Sequence, residues 1–180
     1  KDVNPEAITI FVPGGAQPAA LGKAFAERGI DAEKTKILGS GETTSEQSLK
    51  SMGDAGVGIY SAWHYDYKQD NPLNREFVRV FNEMHKRNPD FFSIGGYDGM
   101  HIIYEAVKKA GGKLDGESLI AAAKGTKWNS PRGPMQIDPE TRDVIQDIYI
   151  RRVRKVAGEY INVPFDKVEQ VKDPVKARMK

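Results

Sequence analysis

The stretch Gly95–Asp143, GGYDGMHIIYEAVKKAGGKLDGESLIAAAKGTKWNSPRGPMQIDPETRD, passes from helix signals to turn signals within fifty residues or so. Its first part carries four apolar residues spaced i, i+3, i+4 and i+7: Met100, Ile103, Tyr104 and Val107. This spacing predicts a helix with one apolar face, and such a face needs a core to cover it. Gly111 and Gly112 follow and predict the end of that helix.

The second part of the stretch predicts a short helix and a β-hairpin. Asp115 is a favourable N-cap, and Gly125 is a favourable residue to end the helix. Ser130–Gly133 has the residue types of a tight turn, because proline pre-sets φ and glycine accepts a positive φ. We expect Arg132 in this turn to be exposed. The expected strands of the hairpin are Thr126–Trp128 and Met135–Ile137.

Upstream of this stretch, strand and helix signals alternate. Ile8–Val12 is a short apolar run bounded by glycine, which predicts a buried parallel strand. A weaker run, Lys36–Leu38, predicts a second strand, and Val57–Trp63 predicts the third. The first helix is expected to bury Leu21, Ala24 and Phe25. Together these signals predict an α/β fold with a parallel sheet.

Two more helices and an antiparallel end complete the pattern. Thr44–Met52 begins with Thr44 three residues before Gln47, which is the capping-box spacing. From Val144 onward the pattern predicts antiparallel strands that turn at Ala157–Glu159. The charged tail Lys172–Lys180 is expected to be frayed. The helix Asn74–Lys86 is expected to bury four apolar side chains: Phe77, Val80, Phe81 and Met84.

The composition excludes several classes of function. With 39% hydrophobic and 29% charged residues the chain is close to globular averages, and its net charge of +2 gives no general attraction to nucleic acid. The basic run Arg151–Lys155 is therefore interpreted as a solvated strand end. The chain has 0 cysteines, which excludes disulfides, thiolate metal sites and a cysteine nucleophile.

Several linked motifs make the chain resemble the type I periplasmic solute-binding proteins of ABC importers, in the branched-chain amino acid-binding family and its relatives that take aromatic acids. The resemblance implies a flavodoxin-like or Rossmann-like parallel sheet with flanking helices, present in part, and a C-terminal antiparallel hairpin. The matching segments are Gly95–Met100, Trp128–Pro134, Ile137–Asp143 and Ile148–Arg151, and upstream Ile8–Gly15, Gly39–Leu49 and Asn71–Met84.

Members of this family have two lobes, and the resemblance implies how the chain is divided between them. Residues 1–70 are expected in the second lobe, residues 71–125 in helices that cross to and belong to the first lobe, and residues 126–170 back in the second lobe. Residues 171–180 are the tail. Roughly the first half of such a protein is expected to be absent, so strands such as Ile8–Val12 would expose unpaired edges. Self-association of the chain is therefore expected.

Ligands of open α/β sheets bind beyond the carboxyl ends of the strands, and three loops qualify as a site. In the first loop, Gly15, Ala16 and Gln17 bring backbone amides and a helix N-terminus to an anionic group, or they merely form a strand-to-helix turn. In the second loop, the resemblance implies that Glu42 takes the ammonium group of an amino acid ligand. The alternative is that Glu42 is an exposed loop residue.

The third loop, Tyr60–Tyr67, is rich in aromatic residues that offer a rigid contact surface and hydrogen-bonding groups. We expect part of this group to line a ligand cleft and part to lie in the core; its candidates are Trp63, His64 and Tyr65. Tyr97 is a further candidate, near a lobe crossing in relatives. Its neighbour Asp98 is expected to act as a helix cap or as a hydrogen-bond acceptor at a hinge.

The resemblance implies a substrate-binding component of an ABC importer, which captures a small carboxylate-bearing solute, an amino acid or an aromatic acid, by closure of two lobes. The partner would be an ABC permease, and the location periplasmic or extracellular, although this chain carries no signal-peptide pattern. The isolated chain is expected to bind solute weakly or not at all. The alternatives are a ligand-sensing receptor domain of the same fold and a flavodoxin-like enzyme domain.

Catalysis is not predicted. The sequence has no glycine-rich phosphate loop with lysine and serine and no Gly-x-Ser-x-Gly motif. The three histidines, His64, His85 and His101, lack the spacing of a helical metal pair. No cofactor, metal ion or nucleic-acid partner is therefore predicted.

Overall fold

The computed structural model describes residues 5–178, which form two compact units. Unit 1 contains the described residues up to Trp63 together with Tyr149–Lys167, and unit 2 contains His64–Ile148 together with the described residues from Val168 onward. Residues 126–148 lie in the same unit as residues 71–125. The reason is a buried side-chain network that ties the hairpin to a helix, described below. The assignment of the units to lobes stays a prediction.

Unit 1 is built on a sheet with a parallel and an antiparallel part. The strands β1 (Ala7–Ile10), β2 (Lys36–Ser40) and β3 (Tyr60–Trp63) are parallel neighbours. The strand β6 (Val144–Val156) runs antiparallel to β3, and β7 (Glu159–Val171) pairs with β6. The turn between β6 and β7 has positive φ at Ala157 and Gly158. The α/β fold and the C-terminal hairpin are thereby confirmed.

Two helices, α1 (Gln17–Arg28) and α2 (Glu46–Met52), enclose the core of unit 1. Phe25 is buried and Leu21 packs against the core, so the predicted inner face of α1 is confirmed. Four core side chains have no exposed surface: Ile37, Leu49, Ile59 and Val153. Burying a Leu, Ile or Val side chain stabilises a fold by about 1.5–3 kcal/mol, so each of these four residues contributes substantially to the stability of unit 1.

Two local expectations for unit 1 are wrong. The strand β1 is not buried, because it pairs only with β2 among the described strands; Ala7 and Thr9 are exposed while Ile8 and Ile10 are half-buried. The helix α2 is capped one residue later than predicted: the hydroxyl of Ser45 accepts a hydrogen bond from the backbone N–H of Ser48 at 3.3 Å. Thr44 is instead fully buried against β3.

Unit 2 contains three helices and a β-hairpin. The helices are α3 (Pro72–His85), α4 (Phe91–Lys109) and α5 (Gly116–Ala123), and the hairpin strands are β4 (Lys127–Ser130) and β5 (Gly133–Ile137), with β5 paired to the start of β6. Each helix has an N-cap side chain that accepts a hydrogen bond of 2.8 Å from a backbone N–H three residues on: Asn71, Asp90 and Asp115. The predicted turns at Gly111–Gly112 and Gly133 have positive φ and are confirmed.

The predicted inner faces of α3 and α4 are largely uncovered. Met84 is 71% exposed and Tyr104 is 58% exposed, and Val80, Met100 and Ile103 are exposed as well. The helix α4 instead buries Ile94, Asp98 and Ala106. The expectation of burial is wrong because nothing among the described residues covers these two faces. Phe77 and Phe81 are half-buried and contact each other, with 5.9 Å between ring centroids.

The predicted frayed tail is partly ordered. Lys172 pairs with Asp138 at 3.3 Å and Lys176 pairs with Asp143 at 2.7 Å, and a short 3-10 turn covers Lys176–Arg178. Met179 and Lys180 lie outside the described residues. Across residues 5–178, no helix has both the length and the apolar character that crossing a membrane requires.

Candidate functional site

The first candidate loop lies between β1 and α1 in unit 1. Gly15, Ala16 and Gln17 are all exposed, and Gly15 has a φ of 84°. Gln17 is the first residue of α1, and Ala16 at the cap position provides no side-chain hydrogen bond to the helix. Because the first backbone N–H groups of a helix lack partners within it, this N-terminus is suited to an anionic group.

A buried polar cluster holds the second candidate loop. The Thr44 hydroxyl donates to the Ser61 hydroxyl at 2.8 Å, and the Arg151 Nη2 donates to Ser61 Oγ at 3.1 Å. The amide Nδ2 of Asn162 donates to the backbone carbonyl of Thr44 at 2.7 Å. All four residues are at most 4% exposed, so the loop that follows β2 is anchored to β3, β6 and β7.

The burial of Arg151 corrects the interpretation of the basic run. Arg151 is 2% exposed, whereas Arg154 and Lys155 extend to the surface and pair with Glu33 and Asp54. Alternate residues of a strand point to opposite faces, so Arg151 shares the buried face of β6 with Val153. Only part of the run is a solvated strand end.

Glu42 lies in the anchored loop and is half-buried. Its backbone carbonyl accepts a hydrogen bond from Ser48 Oγ at 3.1 Å and another from the Ser45 N–H at 3.3 Å. Its position is therefore fixed by its backbone at the carboxyl edge of β2. A carboxylate there can accept hydrogen bonds from a cation or from a hydroxyl group.

Trp63 is the last residue of β3 and is half-buried. Its side chain lies directly over Gly41, the first residue after β2, and its register partner on β6 is Tyr149. Sequence analysis did not single out Gly41 or Tyr149. The signal that identifies them is strand register, because the pair Ser40–Ala62 places the next residues of the two parallel strands side by side.

The other aromatic candidates belong to unit 2. His64 is half-buried, while Tyr65 is 3% exposed and donates its hydroxyl to Asn74 Oδ1 at 3.0 Å. Tyr97 is 50% exposed, and its ring centroid lies 5.0 Å from that of Phe77. Tyr65 also contacts Phe77, edge to face at 6.5 Å, so Phe77 has Tyr65 and Tyr97 as neighbours.

Asp98 is the centre of a buried network in unit 2. Its carboxylate accepts hydrogen bonds from Trp128 Nε1 at 3.0 Å, Ser130 Oγ at 2.9 Å and Arg132 Nε at 2.7 Å. The expectation that Arg132 is exposed is wrong, since 9% of it is accessible and Asp98 supplies its counter-charge. Burial lowers the pKa of the Arg132 guanidinium from its ordinary value, and the charge of Asp98 opposes this shift. The network joins β4 and the hairpin turn to α4.

Metal ligands are not clustered in the described part of the chain. Across residues 5–178, no group of three or more His, Asp or Glu side chains is arranged to hold a metal ion. The groups brought to the carboxyl edge of the unit 1 sheet are a helix N-terminus, a carboxylate and an indole ring. This set suits the binding of a small molecule that has an anionic group and an apolar body.

Comparison with known proteins places these features in context. Residues 1–158 match the profile of the family described as periplasmic binding protein. A Leu/Ile/Val-binding protein homolog 6 from Brucella melitensis is 37% identical over 180 residues, which cover 97% of this chain and 45% of the relative. The chain thus spans about half the length of the curated relatives it matches.

Two solved structures are similar to this chain. A solute-binding protein of an ABC transporter from Rhodopseudomonas palustris BisB5, in complex with 3,4-dihydroxybenzoic acid, is 50% identical with a TM-score of 0.88. The match covers 97% of this chain and 48% of that one. Another from Rhodopseudomonas palustris HaA2, in complex with p-hydroxybenzoic acid, is 34% identical with a TM-score of 0.92; the match covers 99% of this chain and 49% of that one.

Proposed function

This chain belongs to the periplasmic binding protein family, and on that premise we propose that it is part of the solute-binding component of an ABC importer. The proposed solute is a small aromatic carboxylic acid of the hydroxybenzoate type. The proposed partner is an ABC permease, to which the complete protein would deliver the solute from a periplasmic or extracellular location. The proposed role is non-catalytic, in keeping with relatives that are binding proteins of transporters.

The observation that carries the choice of solute is the similarity to the Rhodopseudomonas palustris BisB5 protein, which is 50% identical and was solved with 3,4-dihydroxybenzoic acid. The unit 1 sheet offers matching chemistry at its carboxyl edge. The indole of Trp63 supplies a flat apolar surface for an aromatic ring. The backbone amides at Gly15–Gln17 and the N-terminus of α1 would attract a carboxylate, and Glu42 would accept a hydrogen bond from a ring hydroxyl.

The aromatic candidates in unit 2 have different proposed roles. Tyr97 and His64 are only partly covered, and as solute contacts of the complete protein they stay predictions. Tyr65 is buried and bonded to Asn74, so its proposed part is to support Tyr97 through their shared neighbour Phe77. Closure of two lobes, which the family resemblance implies, stays a prediction for the complete protein.

An amino acid is the second candidate solute. The Brucella melitensis relative, named as a Leu/Ile/Val-binding protein homolog, is 37% identical to this chain and favours it. For such a solute, Glu42 would pair with the ammonium group, and a charge-assisted hydrogen bond of this kind is roughly twice as strong as a neutral one. The same residue therefore discriminates between the two candidates.

The test is a thermal-shift measurement on the protein extended to the full length of its relatives, with 3,4-dihydroxybenzoate, 4-hydroxybenzoate and leucine as probes. A ligand that binds only the folded state raises the melting temperature, so the two benzoates should raise it and leucine should not. The Glu42→Gln variant should keep most of the benzoate response and should lose any response to leucine. A response to leucine alone would replace the aromatic acid by an amino acid, and no response to any probe would contradict the proposal.

A further inference from the structure

We propose that Gly41 is the residue that positions the Trp63 indole, and that the indole so placed is the surface against which a planar aromatic acid stacks. This inference rests on the proposed function for its second half only. Its first half, the dependence of the indole on Gly41, is a property of unit 1 that can be measured without any solute.

The contact between the two residues is very close. A Cβ added at Gly41 would lie 2.5 Å from Cβ of Trp63 and nearer still to the ring atoms Cγ and Cδ2. Carbon atoms in favourable contact are about 3.5–4.0 Å apart, so no residue with a side chain fits at position 41 while Trp63 keeps its place. Gly41 is buried and does not have a positive φ. Glycine is therefore required here by the indole and not by the backbone conformation.

Strand register explains why the indole lies there. Ser40 and Ala62 are partners on parallel neighbours, so Gly41 and Trp63 are the next pair on the opposite face. On the other side of β3, Trp63 is the partner of Tyr149 on β6. Trp63 therefore lies between Gly41, which has no side chain, and Tyr149, and its indole extends toward Gly41.

The loop that carries Gly41 is not free to retreat. Thr44, three residues later, is tied by its hydroxyl to Ser61 at 2.8 Å and by its carbonyl to Asn162 at 2.7 Å. Trp63, in contrast, is only half-buried. A methyl group at position 41 would therefore displace the indole and not the loop. Even a small displacement of a solute-contacting group weakens binding, because the site is no longer preorganised.

The first experiment uses the chain without solute. Three proteins are compared, all carrying Trp128→Phe so that Trp63 is the one tryptophan: the chain without a further change, the Gly41→Ala variant and the control Gly96→Ala. The indole N–H signal of Trp63 is recorded for each in a ¹H–¹⁵N spectrum. Gly96 lies in α4, and among the described residues a Cβ added there would have no atom within 4 Å other than its chain neighbours and the backbone of its own helix. We expect Gly41→Ala to shift the indole N–H signal of Trp63 and to increase the quenching of Trp63 fluorescence by acrylamide. Gly96→Ala should leave both the signal and the quenching unchanged.

A double-mutant cycle distinguishes positioning from general damage. Gly41→Ala should lower the melting temperature when Trp63 is present, and most of this loss should disappear in a Trp63→Ala background, because contacting residues are not additive. Equal losses in the two backgrounds, or an unchanged indole signal in Gly41→Ala, would overturn the positioning role.

The second experiment adds 3,4-dihydroxybenzoate to the same labelled chain, up to millimolar concentration so that weak binding is observed. The Trp63 indole signal should shift with concentration in the unaltered chain and in Gly96→Ala, and the apparent Kd should be about tenfold weaker in Gly41→Ala. Shifts at other residues without a shift at Trp63 would overturn the stacking surface while the proposed function stands. If the full-length protein fails to respond to every probe, the proposed function falls, and with it the stacking half of this inference.

Discussion

The helices α2 and α4 are held in place in opposite ways. In unit 1, α2 buries Leu49 completely in an apolar core with Ile37, Ile59 and Val153. In unit 2, α4 leaves Met100, Ile103 and Tyr104 exposed and turns the carboxylate of Asp98 inward to three hydrogen-bond donors. One helix is thus fixed by hydrophobic burial, and the other by a compensated buried charge together with Ile94 and Ala106.

This difference shows what an amphipathic pattern can and cannot tell. The pattern on α4 identifies correctly which residues share a face, but whether that face is covered depends on elements elsewhere. Among the described residues none covers it, and the buried side of α4 is the one with a charged residue in its middle. A buried carboxylate is tolerated because Arg132 supplies the opposite charge and the two neutral donors add two further hydrogen bonds.

The largest effect is expected where the charge network of α4 is broken. Asp98→Ala removes the carboxylate that Arg132 pairs with inside unit 2 and should lower the free energy of unfolding of this unit by about 3–5 kcal/mol. Urea unfolding followed by Trp128 fluorescence in a Trp63→Phe background measures this, since Trp63 lies in unit 1. The control Asp98→Asn keeps an acceptor oxygen and should lose less. A loss below about 1 kcal/mol, the net value of one ordinary hydrogen bond, would show that the network is not what holds α4.

A somewhat smaller effect is expected from the apolar counterpart. Leu49→Ala removes a fully buried side chain from the core of unit 1 and should cost about 2–4 kcal/mol, by lost burial and by the cavity that remains. Hydrogen exchange should show the loss at the amides of α2 and β3 and not at those of α4. The matched control is Leu73→Ala, at a side chain that is 49% exposed. Equal losses for the two leucines would show that complete burial of Leu49 is not what holds α2 in place.

The smallest effect on stability is expected on the uncovered face of α4. Ile103→Ser changes a side chain that is 50% exposed and should alter the free energy of unfolding by no more than about 0.5 kcal/mol. Exposed apolar patches favour association, so the same variant should reduce the self-association expected from the sequence. Light scattering at several concentrations measures this, and a stability loss comparable to that of Leu49→Ala would mean that the face is covered after all.

Local signals made much of the fold predictable. The caps at Asp115 and the turns at Gly111–Gly112 and Ser130–Gly133 depend on residues within four or five positions, so their sequence pattern suffices. The burial of Arg132 and Arg151 was not predictable in this way. Arg132 is paired with a residue 34 positions earlier and Arg151 with one 90 positions earlier, and only the folded chain brings these partners together.

The candidate site shows the same division. The rule that ligands bind at the carboxyl ends of parallel strands was enough to select the loops of Glu42 and Trp63. It could not reveal that Gly41 lies beneath the indole, because that contact depends on the register between β2 and β3. Nor could it reveal that Thr44, interpreted as a helix cap, anchors the loop through Ser61.

The residues of strand β6 are divided between the two units. The alternation of buried and accessible side chains continues along the whole strand: every even-numbered residue is at least partly accessible, and the buried residues are Ile145, Asp147, Arg151 and Val153. Inserting one residue in the middle of this strand would reverse which side chains face inward on one side of the insertion and leave the other side intact. Related sequences should therefore tolerate length changes in β6 only in steps of two residues, or at its ends. The alternation along this one strand therefore determines which of its side chains are buried in both units.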